Sequence, residues 1–243
     1  MNPVIDSLHR RKSVRAFLDR EIPEEAVGTI LAAAAQAPTA GNQQLYTILR
    51  VSDPALRQRL SVSCDNQPFI AKAPLLLVFC ADCLKWYDAF LEAGCEPRRP
   101  DVGDLMLAVC DANIAAQNAV TAAESLGIGS CFIGDIMENC AEQREILGLA
   151  RYVFPAAMLV FGYPTEQQLA RPKPERSPLS SVVQENRYHA RSGAELRDMF
   201  AARCGGKSYE DWMRAFCERK YNSAFARELS RSVRLWLADF DRD

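Results

Sequence analysis

Seven consecutive residues, His9-Arg10-Arg11-Lys12-Ser13-Val14-Arg15, place four cations and a hydroxyl within reach of one anion. Guanidinium groups offer forked donors to phosphate oxygens, and Ser13 can add its hydroxyl. The same cluster also fits a solvated basic patch at a helix C-terminus, where the dipole favours cations. Spacing alone leaves both readings open. A second cationic segment, Arg171-Pro172-Lys173, is stiffened by proline, which lowers the entropy lost in presenting two charges at fixed positions. Its alternative is an ordinary surface loop. A third feature, Phe132-Ile133-Gly134-Asp135-Ile136, ends an apolar run with a glycine that permits either close backbone approach to a ligand or a tight turn.

No general base or nucleophile accompanies these segments. The chain has only two histidines, His9 and His189, which removes most histidine metal sites and leaves few partners for a catalytic triad. Cys80 and Cys83 form the only C-x-x-C; no second pair follows, and Cys80 closes an apolar run, so a structural thiol is expected there. No P-loop and no G-x-G-x-x-G is present, since Gly127-Ile128-Gly129-Ser130 precedes a strand instead of opening a helix. The absence of a base or nucleophile is informative only if a cofactor does the chemistry, since the protein then needs just binding, orientation and electrostatics.

Composition narrows the class. The net charge of −2 argues against a polyanion binder, so nucleic acid is not an expected partner. No apolar run nears the roughly 20 residues of a membrane helix, and no apolar stretch follows the first charges as in a signal peptide. The nine scattered cysteines fit reduced thiols. A soluble, cytoplasmic protein is expected.

The elements that must position the cationic segments are legible from periodicity. A short helix is expected over Pro3–Arg11, and a longer one after Pro23, with Val27, Ile30, Leu31 and Ala34 as its apolar stripe. Ala37-Pro38-Thr39-Ala40-Gly41-Asn42 breaks that helix. Strands are expected at 46–51, 74–81, 130–134 and 156–162. Between the second and third, residues 101–126 form an alanine-lined helix closed by Gly127, suited to close helix packing or an interface. The tail from about Ser208 reads as helical. Without regular βαβ alternation, α+β is favoured over a doubly wound sheet.

Several segments together resemble the FMN-dependent nitroreductase family, in particular its NADPH-preferring flavin reductase branch. They are Arg11-Lys12-Ser13-Val14-Arg15-Ala16-Phe17, Ala37-Pro38-Thr39-Ala40-Gly41-Asn42-Gln43-Gln44, Asp65-Asn66-Gln67-Pro68, Ala112-Asn113-Ile114-Ala115-Ala116-Gln117-Asn118-Ala119, Glu124-Ser125-Leu126-Gly127-Ile128-Gly129, Phe132-Ile133-Gly134-Asp135 and Glu185-Asn186-Arg187-Tyr188. They run in family order over about residues 5–190. The resemblance implies a central, mostly antiparallel sheet flanked by helices, and an intertwined homodimer. It divides the chain into an FMN-binding domain, 1–190, and a helical C-terminal extension, 191–243.

It also implies roles. Arg11, Ser13, Arg171 and Lys173 would surround the FMN phosphate, Arg15 and Gln67 the pyrimidine side of the ring, and Ile133, Gly134 and Asp135 its length, with Lys12 also among the cofactor-binding residues. Pro38, Thr39 and Asn42 would come from the second subunit. The implied activity is ping-pong transfer from NAD(P)H through FMN to a small acceptor such as a nitroaromatic, a quinone or a flavin. A non-catalytic FMN carrier or sensor is the alternative. Arg227, Arg231 and Arg234 could receive a nicotinamide 2′-phosphate, or be solvated helix charges.

Overall fold

A computed structural model describes residues 2–241. It opens with α1 (Pro3–Arg10), started by Asn2, whose side chain accepts the Ile5 N–H at 3.0 Å, with Pro3 in the first turn and His9 and Arg10 in the last. Next comes α2 (Glu24–Ala35), which buries Val27, Ile30 and Ala34. β1 (Tyr46–Arg50) leads into α3 (Pro54–Ser63), capped by Asp53, whose carboxylate accepts the Ala55 N–H at 2.7 Å. The short α4 (Pro68–Lys72) then enters β2 (Leu75–Asp82).

After α5 (Leu84–Glu92), α6 (Val102–Ser125) is the longest element. Asp101 and Asp104 form a capping box at its start. At its end Gly127 adopts φ +72, and the Ile128 N–H returns to the Ala123 carbonyl at 2.9 Å. Ala108, Ala112, Ala115, Ala116, Ala119 and Ala123 are all fully buried, which lets α2 and the sheet approach α6 closely. The other face leaves Val102, Met106, Leu107 and Ile114 exposed.

β3 (Gly129–Ile133), α7 (Cys140–Leu147) and β4 (Val153–Gly162) complete the sheet, whose order is β1-β2-β4-β3 with every pairing antiparallel. β2 is buried along its whole length, as its continuous apolar run implies. Pro155 sits in a central strand, a position proline normally avoids. It is tolerated because the register of β2 shifts between Phe79 and Cys80, where Cys80 faces Pro155.

The chain forms two compact units. The first holds residues up to Pro172 together with those from Glu228 on; the second is 173–227. α8 (Glu166–Ala170) belongs to the first. The second holds α9 (Gly193–Ala201) and α10 (Tyr209–Lys220), where Phe200, Trp212 and Phe216 pack in series and Arg203 lies over all three rings. α11 (Ala224–Leu237) carries the chain back into the first unit. There Trp236 and Phe240 are 1% and 2% exposed, packed edge-on against Phe154 and Tyr152. The Arg144–Asp239 ion pair at 2.6 Å fixes the same end. No helix among the described residues is long and apolar enough to cross a membrane.

Candidate functional site

The residues after α1 run extended across the sheet. The Val14 N–H donates to the Ser130 carbonyl at 2.9 Å, and the Leu18 N–H to the Tyr163 carbonyl at 2.8 Å. Two glycines make this crossing possible. A Cβ at Gly129 would meet Val14 Cγ2 at 2.6 Å, and one at Gly162 would meet Phe17 Cδ1 at 2.6 Å. The crossing holds Arg11 to Arg15 at the edge of β3.

The second cationic segment is bound to the first by reciprocal hydrogen bonds. Lys12 Nζ donates to the Leu169 carbonyl at 2.7 Å and to the Arg171 carbonyl. Arg171 Nη2 donates back to the Ser13 carbonyl at 2.6 Å, and Gln168 Oε1 accepts the Arg15 N–H at 3.2 Å. Residues more than 150 positions apart thus form one cluster. Beneath it lies the buried Cys131 thiol, which burial pushes up in pKa while the neighbouring Arg15, Ser13 and Arg11 pull it the other way. Two guanidinium nitrogens of the cluster, Arg11 Nη1 and Arg171 Nε, are buried and have no hydrogen-bond partner among the described residues. Buried cationic donors are rarely left so. Lys173 opens the second unit.

A further group of the expected residues meets at the end of β3. Ile133 is buried, and Gly134 is exposed where a 3-10 turn (Gly134–Met137) begins. The charge of Asp135 is felt at Cys64 and Glu138, which brings the 64–67 turn beside this one. Asp65 and Asn66 are both left-handed, at φ +62 and +50. Gln67 closes that turn, its N–H donating to the Ser61 carbonyl at 2.9 Å and its amide Nε2 to the Cys64 carbonyl at 2.7 Å.

The 38–42 segment is braced elsewhere. Its side-chain hydrogen bonds, and those of the residues up to Tyr46, run mainly to α2, α5 and α6, while Leu45 and Tyr46 also pair with β2. The Thr39 hydroxyl donates to Asp111 of α6 and accepts the Gln44 N–H at 2.8 Å, so its proton is turned inward. Pro38 and Asn42 are exposed. Behind the segment a cavity of about 350 Å³ is walled by Trp86, Tyr87 and Phe90 of α5 and floored by Gln43 and Leu45.

Two polar residues here escaped sequence analysis. Asp111 is 3% exposed on the alanine face of α6, and a lone charge in that stripe was its signal. Glu138 is 6% exposed, and its Oε1 has no partner. Burial, then Asp135, Asp65 and Glu228, raise its carboxyl to about 7. Cys80 and Cys83 are buried thiols raised to about 12 by burial, too high for ready thiolate chemistry. On α11, Arg231 is paired with Glu228 at 2.7 Å.

Residues 8–163 match the nitroreductase family. The chain is 32% identical over 224 residues to an FMN reductase (NADPH) of Bacillus subtilis (strain 168), covering 87% of this chain and 89% of that protein. It is also 32% identical over 219 residues to an oxygen-insensitive NADPH nitroreductase of Salmonella typhimurium, covering 87% and 88%. Among solved structures, the hypothetical oxidoreductase YcnD from Bacillus subtilis superposes with a TM-score of 0.81 at 29% identity, over 96% of this chain and 98% of that one.

Proposed function

The chain belongs to the nitroreductase family, and from that premise we propose that it is an FMN-dependent oxidoreductase moving electrons from NAD(P)H to a small organic acceptor. The observation that carries this reading is the pair of orphaned guanidinium nitrogens, Arg11 Nη1 and Arg171 Nε. A terminal phosphate at this cluster would restore the bonds both lack, and guanidiniums offer its oxygens forked donors where lysines offer a point charge.

Within that assignment the residues divide their work. Arg11, Arg171 and Lys173 hold the phosphate, and the Ser13 hydroxyl adds a donor. Lys12, already bound to two carbonyls, braces the 169–171 segment against the N-terminal strand instead of reaching the ligand. Arg15 and Gln67 address the pyrimidine edge, where a cation favours the charge that builds on reduction. Ile133, Gly134 and Asp135 lie along the ring, Asp135 through its backbone, because a carboxylate would oppose that charge. When bound, the flavin would supply the two-electron hydride chemistry, so the protein itself needs no general base.

Pro38, Thr39 and Asn42 complete the site from a second subunit. A homodimer is supported by the exposed stripe of Val102, Met106, Leu107 and Ile114 on α6, with Val4 and Leu8 exposed on α1.

The test is direct. Purified protein should quench added FMN fluorescence at one flavin per chain, and anaerobic NADPH or NADH should bleach the bound flavin within seconds. Changing Arg11 and Lys173 together to Ala should abolish the quenching while the oligomer persists. Protein that leaves FMN free in solution refutes the reading. A bound flavin that neither nicotinamide reduces would make the chain a carrier or sensor instead.

A further inference from the structure

We propose that Asp111 is the positioning residue that holds residues 39–45 as a rigid finger, and that this finger completes the flavin site of the second subunit. The inference rests on the reading of the chain as an FMN-binding dimer and goes beyond it in naming what fixes the shape of the part supplied in trans.

The geometry starts from a charge in an apolar place. Asp111 is 3% exposed among the fully buried alanines of α6. A carboxylate there is tolerable only if donors surround it. All of its donors come from the finger: the Thr39 hydroxyl, the Ala40 N–H at 3.0 Å and the Leu45 N–H at 3.2 Å. Asp111 thus gathers both ends of the segment onto one side chain. The middle is held from α5, where Trp86 Nε1 donates to the Gln43 carbonyl at 2.8 Å, and just past its end Lys85 Nζ donates to the Tyr46 carbonyl at 2.8 Å. Gln44 Nε2 ties the segment to the Ala35 carbonyl of α2 at 3.2 Å.

The backbone between these ties is left-handed at three residues, Gly41, Asn42 and Gln44, at φ +56, +56 and +49. Non-glycine residues stay in that region only when their surroundings over-determine them. Here the brace is inward and the tip, Gly41 and Asn42, is exposed. A loop so heavily constrained and presenting its tip to the outside is shaped for something beyond its own subunit's core.

Action in trans separates this role from a merely structural one. Asp111→Asn keeps an oxygen for Thr39 but sets an amide N–H₂ against backbone donors. The proposed measurement is FMN affinity by fluorescence quenching for the wild type, for Asp111→Asn, for Arg11→Ala, and for mixed dimers purified with one subunit of each variant. Each variant homodimer should bind FMN at least about tenfold more weakly than the wild type, the loss expected when one charged hydrogen-bonded contact goes. The mixed dimer should regain one site of wild-type affinity, because one cleft joins the intact clamp of the Asp111→Asn subunit to the intact finger of the Arg11→Ala subunit. A mixed dimer with no such site, or an Asp111→Asn homodimer that binds like the wild type, overturns the proposal. If Asp111→Asn does not fold, Trp86→Phe, which removes only the indole donor to Gln43, takes its place with the same expected outcome. Wild-type protein that fails to bind FMN overturns the functional reading itself, and that result is separable from the others.

Discussion

Gly129→Ala tests whether the cationic segment is positioned by its crossing of the sheet. A Cβ at this position would stand 2.6 Å from Val14 Cγ2, 3.0 Å from Val14 Cβ and 3.3 Å from Val14 Cγ1. Carbon atoms rest at roughly 3.5–4.0 Å, so Val14 would have to retreat by about 1 Å. It cannot turn aside, since a β-branched side chain has little χ1 freedom and Val14 is 4% exposed. Its backbone, anchored to Ser130 at 2.9 Å, must move and take Ser13 and Arg15 with it. Overpacking of this kind costs about 1–3 kcal/mol. At about 2–4 °C per kcal/mol for a chain of this size, melting should fall by roughly 2–12 °C. FMN affinity should fall with it, about tenfold for each 1.4 kcal/mol of lost contact. Thermal melts with and without FMN, together with a quenching titration, measure both. Adding Val14→Ala removes the two γ-methyls and leaves only the 3.0 Å contact. The double variant should therefore recover part of both losses, with a coupling of about 0.5–3 kcal/mol. Unchanged melting and unchanged FMN affinity in Gly129→Ala would refute the claim that this crossing sets the position of the clamp.

Two further outcomes follow from titratable groups. Glu138 is raised from the ordinary 4.5 to about 7 by burial and by Asp135, Asp65 and Glu228, so the folded state holds its proton more tightly than the unfolded chain. Its contribution is whole below about pH 4.5 and is lost as pH rises to about 7, a loss on the order of 3 kcal/mol at about 1.4 kcal/mol per pH unit. Denaturation curves from pH 4.5 to 8 should show Glu138→Gln gaining stability relative to the wild type across that window; parallel curves would exclude it. Of the cysteines, Cys95 and Cys217 should react at once with a thiol reagent in the folded protein, and Cys110, on the exposed α6 stripe, only when the proposed dimer separates. Cys64, Cys80 and Cys83, pushed up to about 12 by burial, should react only on unfolding. Their rapid titration in native protein would contradict the described core.

What the sequence reveals of this molecule tracks how local each signal is. The four strands and the alanine-lined helix are legible because Leu75–Ala81 is an unbroken apolar run and the alanines of Ala108–Ala123 repeat at helix period. The helices α3, α5 and α7 are not, because they are short and only one face of each carries apolar residues amid charge. The clamp is half legible. Cationic runs at 11–15 and 171–173 are visible, but nothing in the spacing says that Lys12 serves the backbone of 169–171 while Arg11 and Arg171 keep nitrogens in reserve. Asp111 illustrates the remainder: its donors lie 66 to 72 positions away, and only the folded chain brings them to it.

The route of the chain through its two units has a consequence for how the molecule comes apart. The backbone quits the first unit after Pro172 and is back inside it by Glu228, where Trp236 and Phe240 lock into the same core as Phe154 and Tyr152. The intervening stretch is therefore a detour with two moorings, not a dangling arm. A single protease nick within it would release nothing: both fragments would stay together under native conditions and part only in denaturant.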